Sequence, residues 1–442
     1  MKHKCLAIVL AAGSGQRMKS SSSKLLHQIA GKPMISYVME TIVEAGIRDV
    51  ALVLGHCAES VSKIDFPKEL SIDCFIQDVQ QGTANAVLSA KNAIKRGYDR
   101  VIIMYGDVPF ISAHTLNKGI DIVGQECSIA VIGFNTNSPH GYGRLLMEND
   151  KLVAIREEKN ATNEEKKVCY CNSGLMVIDG HKLTKWLSQI KKNETTNEYY
   201  LTDIIEIAIS DGDNVLSIKS DEQEVYGCNN RHELSILENI WQSRRRRNMM
   251  LSGVTMIAPE TVFLSHDTFI DQDTVIEPHV VFGCGVTVER YVKIRSFSYL
   301  EGVHIGNNTT IGPFARLRNG SQIEQNVMIG NFCEVKKSII GEGSKINHLS
   351  YIGDSFLGKN VNIGAGSITC NYDGVNKHKT HIGDNVFVGS NSSLIAPISI
   401  GLGSYIASGS VITEDTPDNS LVLARSRQVI KEKRALSLRK KK

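Results

Sequence analysis

The sequence predicts an α/β domain built on a mostly parallel sheet, then one long connecting helix, then a parallel β-helix. Three observations carry this. Apolar strand-like runs alternate with helical stretches from the amino terminus to about residue 228, as they do where helices cover a parallel sheet. From Leu264 to Ile412 one apolar residue returns every sixth position, a period that fits neither a helix nor a long strand but a short strand plus a tight corner, repeated. Between the two, residues 229–250 read as a single polar helix ending HELSILENIWQSRRRRNMM. The predicted divisions are therefore 1–228, 229–250 and 251–442.

In the first division Leu6–Leu10 is a continuous apolar run, as a strand buried on both faces requires. Pro33 opens a helix whose Met34, Ile35, Val38, Met39, Ile42 and Val43 share one face, and Gly46 ends it. Val50–Leu54 and Ile72–Gln77 read as strands, Thr83–Lys95 as a helix, and Val101–Tyr105 and Gly174–Ile178 as further strands. Helices are expected near Lys182–Ile190 and Tyr200–Ile209. Ligands of such sheets sit beyond the C-terminal ends of the strands, which marks Gly13 and Asp107 as well-placed positions.

In the repeat the inward positions run Leu264, Ile270, Ile276, Phe282, Val288, Ile294, Leu300, then slip by one residue to Ile305, Ile311, Leu317, Ile323, Ile329, Val335. Further slips lead to Ile340, Ile346, Ile352 and to Leu357, Ile363, Thr369; a gap of 13 precedes Ile382, Val388, Leu394, Ile400, Ile406 and Ile412. Every position but Thr369 is apolar. Three hexads make one triangular coil, and each coil covers the edge of the one before.

Composition narrows the class. With 42% hydrophobic and 22% charged residues the chain is an ordinary soluble protein, and a net charge of +3 calls for no nucleic-acid partner. The basic clusters Arg244–Arg247 and Arg439–Lys442 read as a solvated helix face and a frayed end. Ten scattered cysteines without a CxxC pair support neither a disulfide framework nor a zinc ribbon and suit a reducing cytoplasm. The run Cys5–Ala12 is too short for a membrane span.

Leu10-Ala11-Ala12-Gly13-Ser14-Gly15-Gln16-Arg17-Met18 follows the first strand. Small residues there let backbone N–H groups approach a phosphate; a plain tight turn has the same composition. With Lys24, this string resembles the signature of sugar-1-phosphate nucleotidyltransferases. Gln77, Gln81-Gly82-Thr83, Tyr105-Gly106-Asp107-Val108-Pro109, Gly141-Tyr142-Gly143-Arg144, Glu157, Asn172-Ser173-Gly174 and Asn229-Asn230-Arg231 follow in order. Together with the hexads they resemble the bacterial bifunctional family that combines N-acetylglucosamine-1-phosphate uridyltransferase and glucosamine-1-phosphate acetyltransferase activities. The resemblance implies a Rossmann-like nucleotidyltransferase domain and a left-handed coil. It implies Mg²⁺ on Asp107 and Asn229, both oxygen donors suited to a hard cation, with Arg17 and Lys24 neutralising the triphosphate of UTP. Leu10, Ala11, Ala12, Gly13, Gln77, Gly82, Thr83, Tyr105 and Gly106 would hold the nucleotide, and Gly143, Glu157 and Asn172 the sugar. Ser23 stands where the family has proline before Lys24, which predicts a looser loop and leaves Lys19 as a rival cation.

The 13-residue gap carries Cys370-Asn371-Tyr372-Asp373-Gly374, the family's loop string. A solenoid accepts insertions only as loops thrown out at a corner. Acetyl transfer to an amine needs a base, and His348 matches the family's catalytic histidine, with Glu334 as the carboxylate to orient it. Arg318, Lys336, Tyr351, Asn362 and Lys377 match the sugar-phosphate set; Ala365, Asn371, Tyr372, Ser390, Ser408 and Arg425 match the acetyl-CoA set. Ser408 replaces a usual alanine and Asn319 a usual proline. A cytoplasmic homotrimer acting in cell-wall precursor synthesis on glucosamine 1-phosphate, acetyl-CoA, N-acetylglucosamine 1-phosphate and UTP is implied. Two other readings stay open at this point: a fusion of the same domains acting on another sugar or nucleotide, and a non-catalytic assembly module of the same architecture.

Overall fold

The computed structural model describes residues 3–13, 15–55, 58–61, 63–149 and 151–439. Ser14 of the glycine loop and Lys440–Lys442 of the basic tail lie outside the described residues. The chain divides into two compact units, Met1–Trp241 and Gln242–Lys442. The polar helix forms as Arg231–Leu251 and contributes to both.

In the first unit the strands, in chain order, are β1 (Cys5–Ala11), the two-residue pair β2 (Gln28–Ile29) and β3 (Lys32–Pro33), β4 (Asp49–Leu54), β5 (Ser71–Ile76), β6 (Arg100–Tyr105), β7 (Ile129–Asn135), β8 (Arg144–Glu148), β9 (Lys151–Arg156), β10 (Tyr170–Asp179) and β11 (Val215–Ser220). The main sheet runs β11-β7-β10-β6-β1-β4-β5. All its pairs are parallel except those of β10, which is antiparallel to both neighbours. Burial explains β1: Leu6 to Val9 are at most 2% exposed because helices cover both faces. The expected helix over 83–95 is broken at Ala90 into Thr83–Ser89 and Lys91–Ile94. β7, a buried apolar run from Ile129 to Phe134, and the weaker β11 and hairpin β8–β9 extend the sheet beyond the strands expected from the sequence.

The irregularity that matters lies in β10. Its register against β7 shifts between Asn172 and Met176, a bulge. Gly174 supplies it with φ +84°, and a Cβ there would stand 2.5 Å from the Tyr105 ring. The bulge re-aims Asn172 at the ends of β1 and β6.

The second unit is a parallel β-helix with three faces. Face 1 includes Val275–Ile276 and Lys293–Ile294, face 2 Val281–Phe282 and Tyr299–Leu300, face 3 Phe269–Ile270 and Thr287–Val288. Ile276 pairs with Ile294 and Ile294 with Ile311, eighteen and seventeen residues on. Each inward aliphatic therefore stacks on its counterpart, and the column Ile276, Ile294, Ile311, Ile329, Ile346 is at most 1% exposed. A buried aliphatic of this kind is worth about 1.5–3 kcal/mol. All three one-residue slips and the 13-residue gap fall at one corner, between faces 2 and 3. Residues with positive φ turn the slipped corners: Gly302, Lys337 and Asp354.

Of the arginine run, Arg247 is solvent-exposed, but Arg245 and Arg246 are held by the coil. Arg246 is 7% exposed and donates to the carbonyls of Glu260 and Val262 at 3.2 and 3.1 Å. Arg245 donates to Thr268 O at 2.7 Å, and Gln242 bonds Leu264 in both directions at 2.7 and 3.0 Å. An open coil end presents unpaired backbone groups, and these side chains answer them.

Thr369, the polar exception in the columns, is 1% exposed; its Oγ1 accepts the Gly353 N–H at 2.8 Å. That N–H belongs to the slipped corner before Asp354. Thr369→Val keeps the shape and orphans the N–H, so it is expected to lower stability by about 1–3 kcal/mol. Equilibrium urea unfolding measures this; a variant as stable as the parent would show the bond to be dispensable.

Candidate active sites

In the first unit the glycine loop, leaving β1, and the segment after β6 end side by side, because β1 and β6 are paired through Leu10 and Tyr105. Four polar side chains meet there. Lys24 Nζ pairs closely with Asp107 Oδ2 and lies 3.5 Å from Asn229 Oδ1, while Arg17 donates to the same Asn229 oxygen at 2.9 Å. Lys24, and not the exposed Lys19, is thus the cation at Asp107. Ser23 holds φ −54° and ψ 140°, the backbone that proline would impose, so its replacement leaves Lys24 in place.

Two adjoining cavities open from this cluster. One of about 590 Å³ is lined by Leu10 to Gly13, Arg17 and Lys24 on one side and by Gln77, Gly82 and Thr83 on the other. The second, about 610 Å³, is lined by Gly143 and Asn229. Arg17, Tyr105, Asp107, Glu157 and Asn172 border both. Gln77 Nε2 donates to Gly82 O at 3.3 Å and to Asn85 Oδ1 at 2.8 Å, fixing the rim. Gly82 has φ +102°, and a Cβ there would stand 2.5 Å from Tyr199 O. Thr83 Oγ1 caps the Leu201 N–H at 3.0 Å. Gly106 lies behind the wall, its N–H on Leu10 O at 3.0 Å.

Burial raises the Glu157 carboxyl above its ordinary value, partly offset by the Thr202 hydroxyl, which donates at 3.1 Å. Burial likewise raises the Tyr105 hydroxyl, with the Glu157 and Asp107 charges adding to it. Thr202, Asn85 and Gln80, whose Nε2 donates to Ala12 O, were not among the residues picked from the sequence; no motif marks them.

Asp107 and Asn229 turn their oxygens to one point, now held by the Lys24 ammonium. Two converging oxygen donors fit a small hard divalent ion once the lysine withdraws.

In the β-helix the second set straddles face 2. At its entry corner, shared with face 1, residues stack as a column. His348 is the register partner of Asn331, and its Nδ1 lies 2.9 Å from Asn331 Oδ1. Above it, Asn391 N donates to Ala365 O and Gly409 N to Ser390 O, both at 2.8 Å, and Ser408 packs beside Gly389. At the exit corner, shared with face 3, the cations gather. Lys336 Nζ is 3.7 Å from Asp354 Oδ2, and Lys336 beside Lys377 holds the latter's ammonium below its ordinary pKa. Asn371, 6% exposed, donates to Asp354 Oδ2 and, at 3.4 Å, to the Tyr351 hydroxyl.

One expectation needs correction. Glu334 does not orient His348 in this chain: its carboxylate accepts from Arg318 at 2.8 Å, and the group on His348 is Asn331. Asn362 pairs with Lys345 and Phe387 on face 1, apart from the cations, and Arg425 lies exposed beyond the last strand, Leu421–Val422. The inserted loop is folded by Asp373, which accepts the N–H groups of Asn376 and Val375 at 2.6 and 2.8 Å and meets His378 Nε2 at 2.6 Å. These contacts hold its carboxyl far below the usual range. Tyr372 projects from the loop, 58% exposed.

Residues 7–167 match the MobA-like NTP transferase domain and residues 301–398 the GMPPB C-terminal domain. The bifunctional protein GlmU of Agrobacterium fabrum (strain C58 / ATCC 33970) is 54% identical over 441 residues, covering 100% of this chain and 97% of that one. That of Bartonella bacilliformis is 50% identical, covering 99% and 98%. The chain belongs to the GlmU family. Like other GlmU proteins it is a bifunctional enzyme, a uridyltransferase and an acetyltransferase in one polypeptide, with a left-handed coil. GlmU proteins take sugar-phosphate and nucleotide substrates, and their nucleotidyltransferase half requires a divalent metal. No helix among the described residues is long and apolar enough to cross a membrane.

A raised Glu157 pKa gives a signed prediction. The folded state binds that proton more tightly than the unfolded chain, whose value is near 4.5. Stability on this account is full below about pH 4.5 and falls as pH rises through the folded value. Glu157→Gln is therefore expected to be more stable than the parent at pH 7 and equal to it near pH 4, in thermal unfolding across that range. A variant less stable at pH 7 would mean the charged form is the favoured one.

Proposed function

We propose that the first unit transfers the uridylyl group of UTP to N-acetylglucosamine 1-phosphate, and that the second makes that acceptor by acetylating glucosamine 1-phosphate. The observation that carries the first assignment is the meeting of Arg17, Lys24, Asp107 and Asn229 where two cavities adjoin. One cavity takes the nucleotide, with Gln77, Gly82 and Thr83 at the base and Leu10 to Gly13 along the phosphates. The other takes the sugar, with Gly143, Glu157 and Asn172 at its hydroxyl and acetamido groups. The sugar phosphate attacks the α-phosphorus in line and pyrophosphate leaves. Arg17 and Lys24 counter the charge that gathers there, the main task in such a transfer. Mg²⁺, held by Asp107 and Asn229, supplies further charge neutralisation when bound.

In the second unit, Asn331 Oδ1 can only accept, and its 2.9 Å contact supports the tautomer with the proton on His348 Nδ1. The Nε2 lone pair is then the base. It takes a proton from the substrate amine, the nitrogen adds to the acetyl carbonyl, and the CoA thiolate departs. The width of face 2 separates His348 from Lys336, Lys377 and Arg318, as an amine and a 1-phosphate on one sugar require. Ala365, Ser390 and Ser408, stacked above His348, border the path of acetyl-CoA, with Asn371, Tyr372 and Arg425 completing it. A homotrimer is supported by the exposed ridge Phe314, Phe332, Leu349 at the same corner, 45 to 62% exposed; a neighbouring chain would cover it.

A coupled assay with glucosamine 1-phosphate, acetyl-CoA, UTP and Mg²⁺ is expected to yield UDP-N-acetylglucosamine. Asp107→Ala should abolish uridylyl transfer and spare acetylation, while His348→Ala should cut acetylation by about 10²–10⁴-fold and spare uridylyl transfer. Loss of both activities in either folded variant, or preference for dTTP or glucose 1-phosphate, would refute the assignment.

A further inference from the structure

Apart from the two sites, one cluster joins three different metal-ligating side chains: His266, Asp267 and Cys284. The coil brings them together. Phe263 bridges to Val281 and Phe269 pairs with Thr287 in parallel register, so the corner carrying His266 stacks on the corner carrying Cys284. An imidazole nitrogen, a carboxylate oxygen and a sulfur fall within 4.8 Å of one another. Neighbouring groups already hold all three. Asp267 Oδ2 accepts the Gly285 N–H at 2.8 Å, and the Oγ of Ser265, 4% exposed, sits 3.1 Å from Cys284 Sγ and 3.4 Å from His266 Nδ1.

We propose that this corner binds a borderline-soft divalent cation of the Zn²⁺ class, through one atom each of His266, Asp267 and Cys284, with water in the fourth position. Sulfur and imidazole favour such an ion over Mg²⁺ or Ca²⁺, which take oxygen donors. Around tetrahedral zinc, ligand atoms lie about 3.5 Å apart, so side-chain rotations of about 1 Å close the set without moving the coils. Binding takes the Cys284 thiol to a thiolate and releases its proton to solvent. The site is chemically distinct from Asp107 and Asn229, which offer only oxygen, and it would tie the first two coils together beside the helix that caps them.

The test uses full-length protein, reduced and stripped of metal, titrated with Co²⁺. One equivalent is expected to produce a thiolate-to-cobalt charge-transfer band in the near ultraviolet, displaced by Zn²⁺ and not by Mg²⁺. Cys284→Ser should abolish the band, and His266→Ala and Asp267→Asn should each weaken Co²⁺ binding about 10-fold or more. Thermal unfolding of the metal-free variants checks that each is folded. Absence of the band in the parent, or a band that survives Cys284→Ser and so arises at another thiol such as the exposed Cys74 or Cys169, would overturn the proposal.

Discussion

Backbone groups in a solenoid can be satisfied only by the coil before and the coil after, and that requirement holds the second unit in register. Once Ile276 stands under Ile294 and Ile294 under Ile311, the face of every following residue is decided. The columns have no room for an extra residue except at a corner, which is why slips and insert alike appear between faces 2 and 3. The same requirement operates at the ends. The first coil has no predecessor, and Gln242, Arg245 and Arg246 take over the missing hydrogen bonds.

The two active sites solve one problem in different ways. Both must hold anions, and both place cations against carboxylates in advance: Lys24 on Asp107, Lys336 on Asp354, Arg318 on Glu334. In the first unit the sheet does the positioning, since paired strands end together and throw their loops into one cleft. In the second the corners do it, with His348 on one edge of face 2 and the cations on the other.

The sequence disclosed features that repeat or run together: the hexads, the apolar run of β1, the string around Gly13. It was silent on pairs formed across coils, because residues 17 or 18 apart carry no local signature. Asn331 meets His348 in that way, whereas the resemblance to the family points to the Glu334 carboxylate. Arg246 looked like surface for a related reason: arginine is charged, and only the open carbonyls of Glu260 and Val262 justify burying it. Thr369 and the slip between Ile352 and Leu357 were visible as breaks in pattern, although only the fold joins the two through the corner at Gly353. The weak strands β8, β9 and β11 are half exposed in places and show no clear period.

The Lys24–Asp107 pair gives the cleft at the ends of β1 and β6 its own counter-ion. Asp107 is neutralised by Lys24, so a cation gains the carboxylate only by displacing an ammonium. That ammonium then needs a new anion. A cation and an anion entering together would each take one partner of the pair, the cation Asp107 and the anion Lys24. The cleft acts as an ion exchanger whose exchange completes when both have entered.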